Sequence, residues 1–178
     1  MIAGPSERAA PAQIRPSSEV ERQYGVLPWR RDRNGAPQVL LITSRTRGRW
    51  IVPKGWLAKD RAPYLSAALE AFEEAGVIGE VTPRALGSYR YVAEEADGAR
   101  RNRLVTLFGL RVVGTLTNWP ERGQRKRRWF GLAEAAAIAD DTELARMIRT
   151  IHDDPQILTR KEGVVSGADG PLEAVAMS

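Results

Sequence analysis

The sequence predicts an α/β (α+β) fold, a mixed β-sheet sandwiched between α-helices. Three observations carry this. Short apolar runs separated by turn-forming residues fill the first third of the chain, an apolar pattern of helical period follows from Pro63 to Gly76, and strand-like segments then return before two further helical stretches. At 178 residues and 43% hydrophobic content the chain suits one domain with a single core.

Residues 1–22 carry early charges and prolines but no apolar run of signal-peptide or membrane-spanning length, and read as a flexible leader. The folded domain is expected over residues 23–154. "YGVLPWRR" (Tyr24 to Arg31) and "QVLLIT" (Gln38 to Thr43) are strands, joined through an Asn34-Gly35 pair that suits a tight reversal. "RWIVP" (Arg49 to Pro53) is a further strand, closed by a proline that has no N–H for a continuing ladder. Leu65, Ala68, Leu69, Phe72 and Ala75 then share one face of a helix, with Pro63 in its first turn and Gly76 at its C-terminal stop. "EVTPRALGSYRYVAEE" (Glu80 to Glu95) and "RLVTLFGLRVVG" (Arg103 to Gly114) are strands around an arginine-rich loop, and "RRWFGL" is a short strand. "LAEAAAIA" and "TELARMIRTIHDD" are helices. Residues 155–178, rich in glycine and small side chains, read as a loosely ordered tail.

Composition narrows the chemistry. With no cysteine there is no disulfide, thiolate metal site or cysteine nucleophile, which fits a cytoplasmic location. The one histidine, His152, ends the last helix among aspartates, where capping or exposure suits it better than catalysis, so a Ser-His-Asp triad is not expected. Twenty-seven Lys plus Arg against 22 Asp plus Glu give a net charge of +5. The arginines cluster at 45, 47 and 49, at 100, 101 and 103, and from 122 to 128, which points to an anionic partner. With both signs interspersed, that charge is weak support for a nucleic-acid partner.

Glu70, Glu73 and Glu74 occupy an adjoining sector of the first helix. Each close pair of like charges costs about 0.2–0.5 kcal/mol on an exposed helix. A hard divalent cation offsets that repulsion, because magnesium takes carboxylate oxygens that helical spacing brings together. The alternative is a solvated acidic face. "WIVPKG", just upstream, delivers a strand into a Pro-Lys-Gly turn, where Lys54 can meet a phosphate and the Gly55 carbonyl can face a metal.

This segment resembles the box of the Nudix hydrolase (MutT-like) family: Gly, five residues, Glu, seven residues, Arg-Glu-apolar-x-Glu-Glu-x-Gly-apolar. Gly55, Glu70, Ala71, Glu73, Glu74, Gly76 and Val77 fall in register. "RWIVPKG" and "RKRRWF" are also similar to family segments, so the likeness runs from about Tyr24 to His152. Two positions depart from it. Arg61 stands where the family has glutamate, and Leu69 where it has an arginine that helps orient the first glutamate of the cluster. The resemblance implies a Nudix-like sheet and an enzyme acting on phosphoanhydride bonds with Mg2+ (or Mn2+). It further implies Glu70 and Glu74 as metal ligands with the Gly55 carbonyl, and Glu73 as ligand or general base. Glu94 or Glu95 is a candidate for an extra ligand or the base.

Outside the box, the chain is similar to the branch containing diphosphoinositol polyphosphate phosphohydrolases and dinucleoside polyphosphate hydrolases. Matching its basic segments makes Ser44, Arg45, Arg49, Lys54, Arg100, Arg103 and Arg125 phosphate-binding candidates. A nucleotide substrate asks for an aromatic shelf from Tyr89, Tyr91 or Trp119, each also a natural packing residue. Trp50 and Trp129 suit the core, and Trp56 either narrows the site or packs over its mouth. The departures at Arg61 and Leu69 favour the competing reading, a catalytically weak or inactive polyanion-binding module on a Nudix fold. No membrane partner is expected, and a homodimer through a sheet edge is compatible with the sequence.

Overall fold

A computed structural model describes residues 20–160. The sheet is built on β1 (Glu21–Arg31), β2 (Pro37–Thr43), β3 (Trp50–Ile51), β5 (Val77–Glu94) and β6 (Arg100–Thr115), in the order β3-β2-β1-β6-β5. β4 (Lys54–Gly55) adds to β1, and β7 (Arg127–Gly131) adds to β2. β1 runs parallel to β6 and antiparallel to β2, so the sheet is mixed.

Successive residues of β1 point to opposite faces, and both faces are covered. Leu27 joins Val39, Leu41, Leu107 and Phe130 under α2 (Leu132–Ile138) and α3 (Thr142–Asp153). Val26 joins Leu40, Ile42, Phe108 and Leu110 under α1 (Pro63–Ala75). The sandwich of helices about a mixed sheet is therefore present.

Several boundaries differ from the sequence expectation. β1 begins at Glu21, inside the expected leader, because Glu21 and Arg22 continue the parallel ladder to Arg103 and Leu104. At the other end, Pro155–Leu158 form a 3-10 turn whose Leu158 is buried against the α3 side of the core. Two apolar residues, Ile157 and Leu158, thus anchor the start of the expected tail. The remainder of both termini lies outside the described residues.

Within the Pro-Lys-Gly segment Lys54 and Gly55 form a short strand rather than a turn: β3 stops at Ile51, two residues before Pro53, and Lys54 and Gly55 pair with Gly25 and Tyr24 of β1. The buried face of α1 is also rotated from the expected one. Ser66, Ala67, Ala71, Glu74 and Ala75 are buried, while Leu65 and Phe72 are 41% and 38% exposed. The alanine stripe lets the helix backbone approach the sheet closely, which large side chains at those positions would prevent. That rotation turns Glu74 inward with it.

Candidate active site

The close seating of α1 sets its C-terminal half against β4. Glu70 lies directly over Gly55, where a Cβ would collide with the Glu70 carboxylate. Only glycine admits this approach. Glu74, 7% exposed, is held from two sides: its Oε2 accepts the Lys54 backbone N–H at 3.1 Å, and its Oε1 pairs with the Arg125 guanidinium. Glu73 is half-buried, and its backbone carbonyl accepts the N–H of Glu121 at 3.1 Å. Gly76 ends α1 in the left-handed conformation (φ 60°), with Arg127 donating to the carbonyls of Ala75 (2.6 Å) and Gly76 (3.0 Å). A cation on these carbonyls is favourable at a helix C-terminus, and it fixes the turn that carries Glu73 and Glu74.

Crowding shows in the protonation behaviour. Burial, then the neighbouring Glu74 and Glu73 carboxylates, push Glu70 up to about 7. Burial also raises Glu74, opposed by Arg125, the Lys54 N–H and the Lys54 ammonium. Among the described residues no three ligating side chains converge tightly enough to hold an ion as they stand. Glu74 is fixed by Arg125 and the Lys54 N–H, one contact to each oxygen, which leaves each oxygen a second lone pair. The donor set is nevertheless all hard oxygen, its carboxylates are under-neutralised, and glycine opens a cradle beside Glu70. These residues fit a hard divalent cation once Glu70 and Glu73 close on the held Glu74.

A cavity of about 240 Å³ lies across Lys54 from this wall, and none of Gly55, Glu70, Glu73 and Glu74 lines it. Ser44, Arg47, Arg49, Lys54, Tyr91, Glu94, Arg103 and Asp140 contribute to its lining. Lys54 belongs to both regions: its backbone binds Glu74 and its side chain lines the cavity. Burial, partly offset by Glu74, lowers its ammonium to about 8. The arginines are already paired, Arg49 with Asp140 (2.9 Å), Arg47 with Glu94, and Arg103 with Glu21 (3.1 Å) and Glu95.

Of the phosphate-binding candidates, Ser44, Arg49, Lys54 and Arg103 meet around this cavity. Arg45 points outward and pairs with Glu121 at 3.7 Å, and Arg100 is exposed on β6 away from the lining. The Arg125 side chain is only 6% exposed and is enclosed by protein acceptors. Glu94 and Glu95 are engaged by Arg47 and Arg103 rather than turned to the α1 carboxylates. Glu121 was not anticipated there. It couples electrostatically to Glu70 and Glu74 and pairs with Arg125, and its spacing from Arg125 was its one sequence signal.

The aromatic candidates fall mostly into packing. Tyr89 is 2% exposed, and the Tyr91 hydroxyl donates to Gln23 Oε1 at 2.7 Å while its ring lies 5.1 Å from Lys54 Nζ. Trp119 packs over Gly76 with Arg127 stacked on its ring at 3.9 Å. Trp50 packs edge-on against Phe130, and Trp129 lies under Arg30. Trp56 is half-exposed, with Arg103 5.1 Å from its ring.

A family model described as the NUDIX domain matches residues 21–151, so the chain belongs to the Nudix family, whose hydrolases act on phosphoanhydride bonds and generally use divalent metals. It is similar to Nudix hydrolase 12, mitochondrial, of Arabidopsis thaliana, at 29% identity over 86% of this chain and 77% of that protein. It is also similar to diphosphoinositol polyphosphate phosphohydrolase 3-beta of Bos taurus, at 36% identity over 104 residues, 57% of this chain and 59% of that protein. In fold it resembles a binary complex of C. elegans Ap4A hydrolase, with a TM-score of 0.57 at 22% identity, covering 75% of this chain and 96% of the other. No helix among the described residues is long and apolar enough to cross a membrane.

Proposed function

We propose that this chain is a Mg2+-dependent pyrophosphohydrolase, with Mn2+ able to substitute, that cleaves a diphosphate linkage in a polyphosphorylated small molecule. A diphosphoinositol polyphosphate is the preferred substrate and a dinucleoside polyphosphate the second. The observation that carries this reading is the wall of α1 carboxylates seated on β4 beside a cation-lined cavity, with Lys54 shared by both. Glu70, Glu74 and the Gly55 carbonyl would hold the ion, with Glu73 as an additional ligand or as general base.

When bound, the divalent ion neutralises the diphosphate charge and acidifies the attacking water. As general base, Glu73, half-buried on the same helix turn, would accept the proton of the attacking water. Arg49, Lys54, Arg103 and Ser44 orient the remaining phosphates, the arginines exchanging carboxylate partners for phosphate oxygens of matching fork geometry. The inositol preference is supported by the similarity to a diphosphoinositol phosphohydrolase and by the aromatic side chains, since Tyr89 is buried and the face of Tyr91 is occupied by Lys54.

Leu69 and Arg61 support a second reading, a polyanion-binding module without turnover. Incubation with Mg2+ and either a diphosphoinositol polyphosphate or a diadenosine polyphosphate separates the two. The enzyme reading expects product from the parent and little from Glu73→Gln or Glu74→Gln. Variants as fast as the parent would remove the site assignment, and calorimetric binding without product would favour the module.

A further inference from the structure

We propose that Arg125 is a positioning residue for Glu74, a guanidinium supplied from the loop before β7 in a chain whose box carries Leu69 in place of arginine. The inference rests on the metal-site reading above and adds to it a residue outside the helix.

The geometry is that of a clamp rather than of an anion receptor. Arg125 donates through Nε to Glu121 Oε2 at 2.5 Å, through Nη1 to the Thr43 carbonyl at 3.1 Å, and through Nη2 to Glu74 Oε1. Its fork is thereby filled by three acceptors from three segments: α1, the end of β2 and the loop before β7. The base of the side chain is fixed as well. The Lys126 N–H donates to Thr43 Oγ1 at 2.9 Å, and the Thr43 N–H donates to the Lys126 carbonyl at 2.9 Å. At 6% and 9% side-chain exposure, the Arg125–Glu74 pair is the most buried ion pair among the described residues.

Such a pair is a poor source of stability, because desolvation offsets most of its attraction, but it strongly constrains where its carboxylate sits. The second oxygen of Glu74 is fixed by the Lys54 N–H on β4. The carboxylate is thus held between two rigid donors, beside Glu70 and Gly55. Outer-sphere partners of this kind orient metal ligands, and removing one commonly weakens metal binding or activity about 10–100-fold.

The test uses Mn2+ binding to the full chain, followed by the electron paramagnetic resonance of the free ion, and needs no turnover. Arg125→Lys keeps the charge but replaces the planar fork with a point donor, and Arg125→Met removes both. A positioning role expects Mn2+ affinity to fall about tenfold or more in Arg125→Lys and further in Arg125→Met. It also expects kcat to fall with KM changed less than about threefold, since the lost contact is not to substrate. A cation that merely stood near the metal site would do the opposite, and its removal would tighten Mn2+ binding. Unchanged or tighter binding in both variants overturns the proposal while leaving the metal reading intact. A parent that binds no Mn2+ removes the metal reading itself. Should Arg125→Met fail to fold, Arg125→Gln takes its place: it removes the charge and the fork while keeping one amide donor, and a weakened Mn2+ affinity is again expected.

Discussion

Replacing Glu70 with glutamine should stabilise the metal-free protein and disable it in one step. In the folded chain Glu70 takes up its proton at about 7, against an ordinary 4.5, because burial and the Glu74 and Glu73 carboxylates disfavour its charge. The neutral form therefore favours the fold: its contribution is complete below about pH 4.5 and is lost as pH rises through about 7. The gap corresponds to about 3 kcal/mol, which solvent screening of a half-buried group reduces to roughly 1–2 kcal/mol. For a chain of this size that is roughly 3–6 °C in Tm. Thermal unfolding in chelator should show Glu70→Gln more stable than the parent by this amount at pH 8 and nearly equal to it at pH 5. Adding saturating Mg2+ should reverse the order, since only the parent gains the full linkage to bound metal. A variant that is neutral or destabilised at pH 8 in chelator would refute the crowded-carboxylate reasoning.

Three further outcomes follow from neighbouring groups. Gly55→Ala forces Glu70 off β4, so Mn2+ affinity measured by calorimetry should fall about tenfold or more. Lys54, lowered to about 8 by burial, is cationic below that pH and neutral above it, so KM for a polyphosphate substrate should rise as pH passes through about 8 and this rise should vanish in Lys54→Arg. Gly76→Ala places a side chain at φ 60° and against the Trp119 ring, so denaturant unfolding should show a loss of about 1–3 kcal/mol.

The secondary structure was legible wherever local chemistry decides it. Asn34-Gly35 marked the β1–β2 turn, and Pro63 and Gly76 bracketed α1 to the residue. The buried face of α1 was not legible. Leu65 and Phe72 look like core by hydrophobicity, yet the sheet needed a close neighbour and took the alanine stripe instead. The same limit governs the site. The α1 glutamates and Gly55 stand at fixed spacings that the sequence displays, and Ser44, Arg49, Lys54 and Arg103 could be proposed from their basic segments. Which cations line the cavity and which are buried against carboxylates away from it depends on contacts between residues far apart in the chain. Arg125 reaches Glu74 across 51 positions, and Arg49 reaches Asp140 across 91. Within "ERGQRKRRW" only the four-residue spacing from Glu121 sets the buried Arg125 apart from its exposed neighbour Arg128.

Phosphorus NMR of the purified protein with a diphosphoinositol polyphosphate addresses the central claim most directly. The account predicts that the diphosphate resonances are replaced by monophosphate resonances when Mg2+ is present, that chelator stops the conversion, and that Glu74→Gln is nearly inert. Unchanged diphosphate resonances with Mg2+ and with Mn2+, under conditions where the ligand binds and dinucleoside polyphosphates are also left intact, would contradict it.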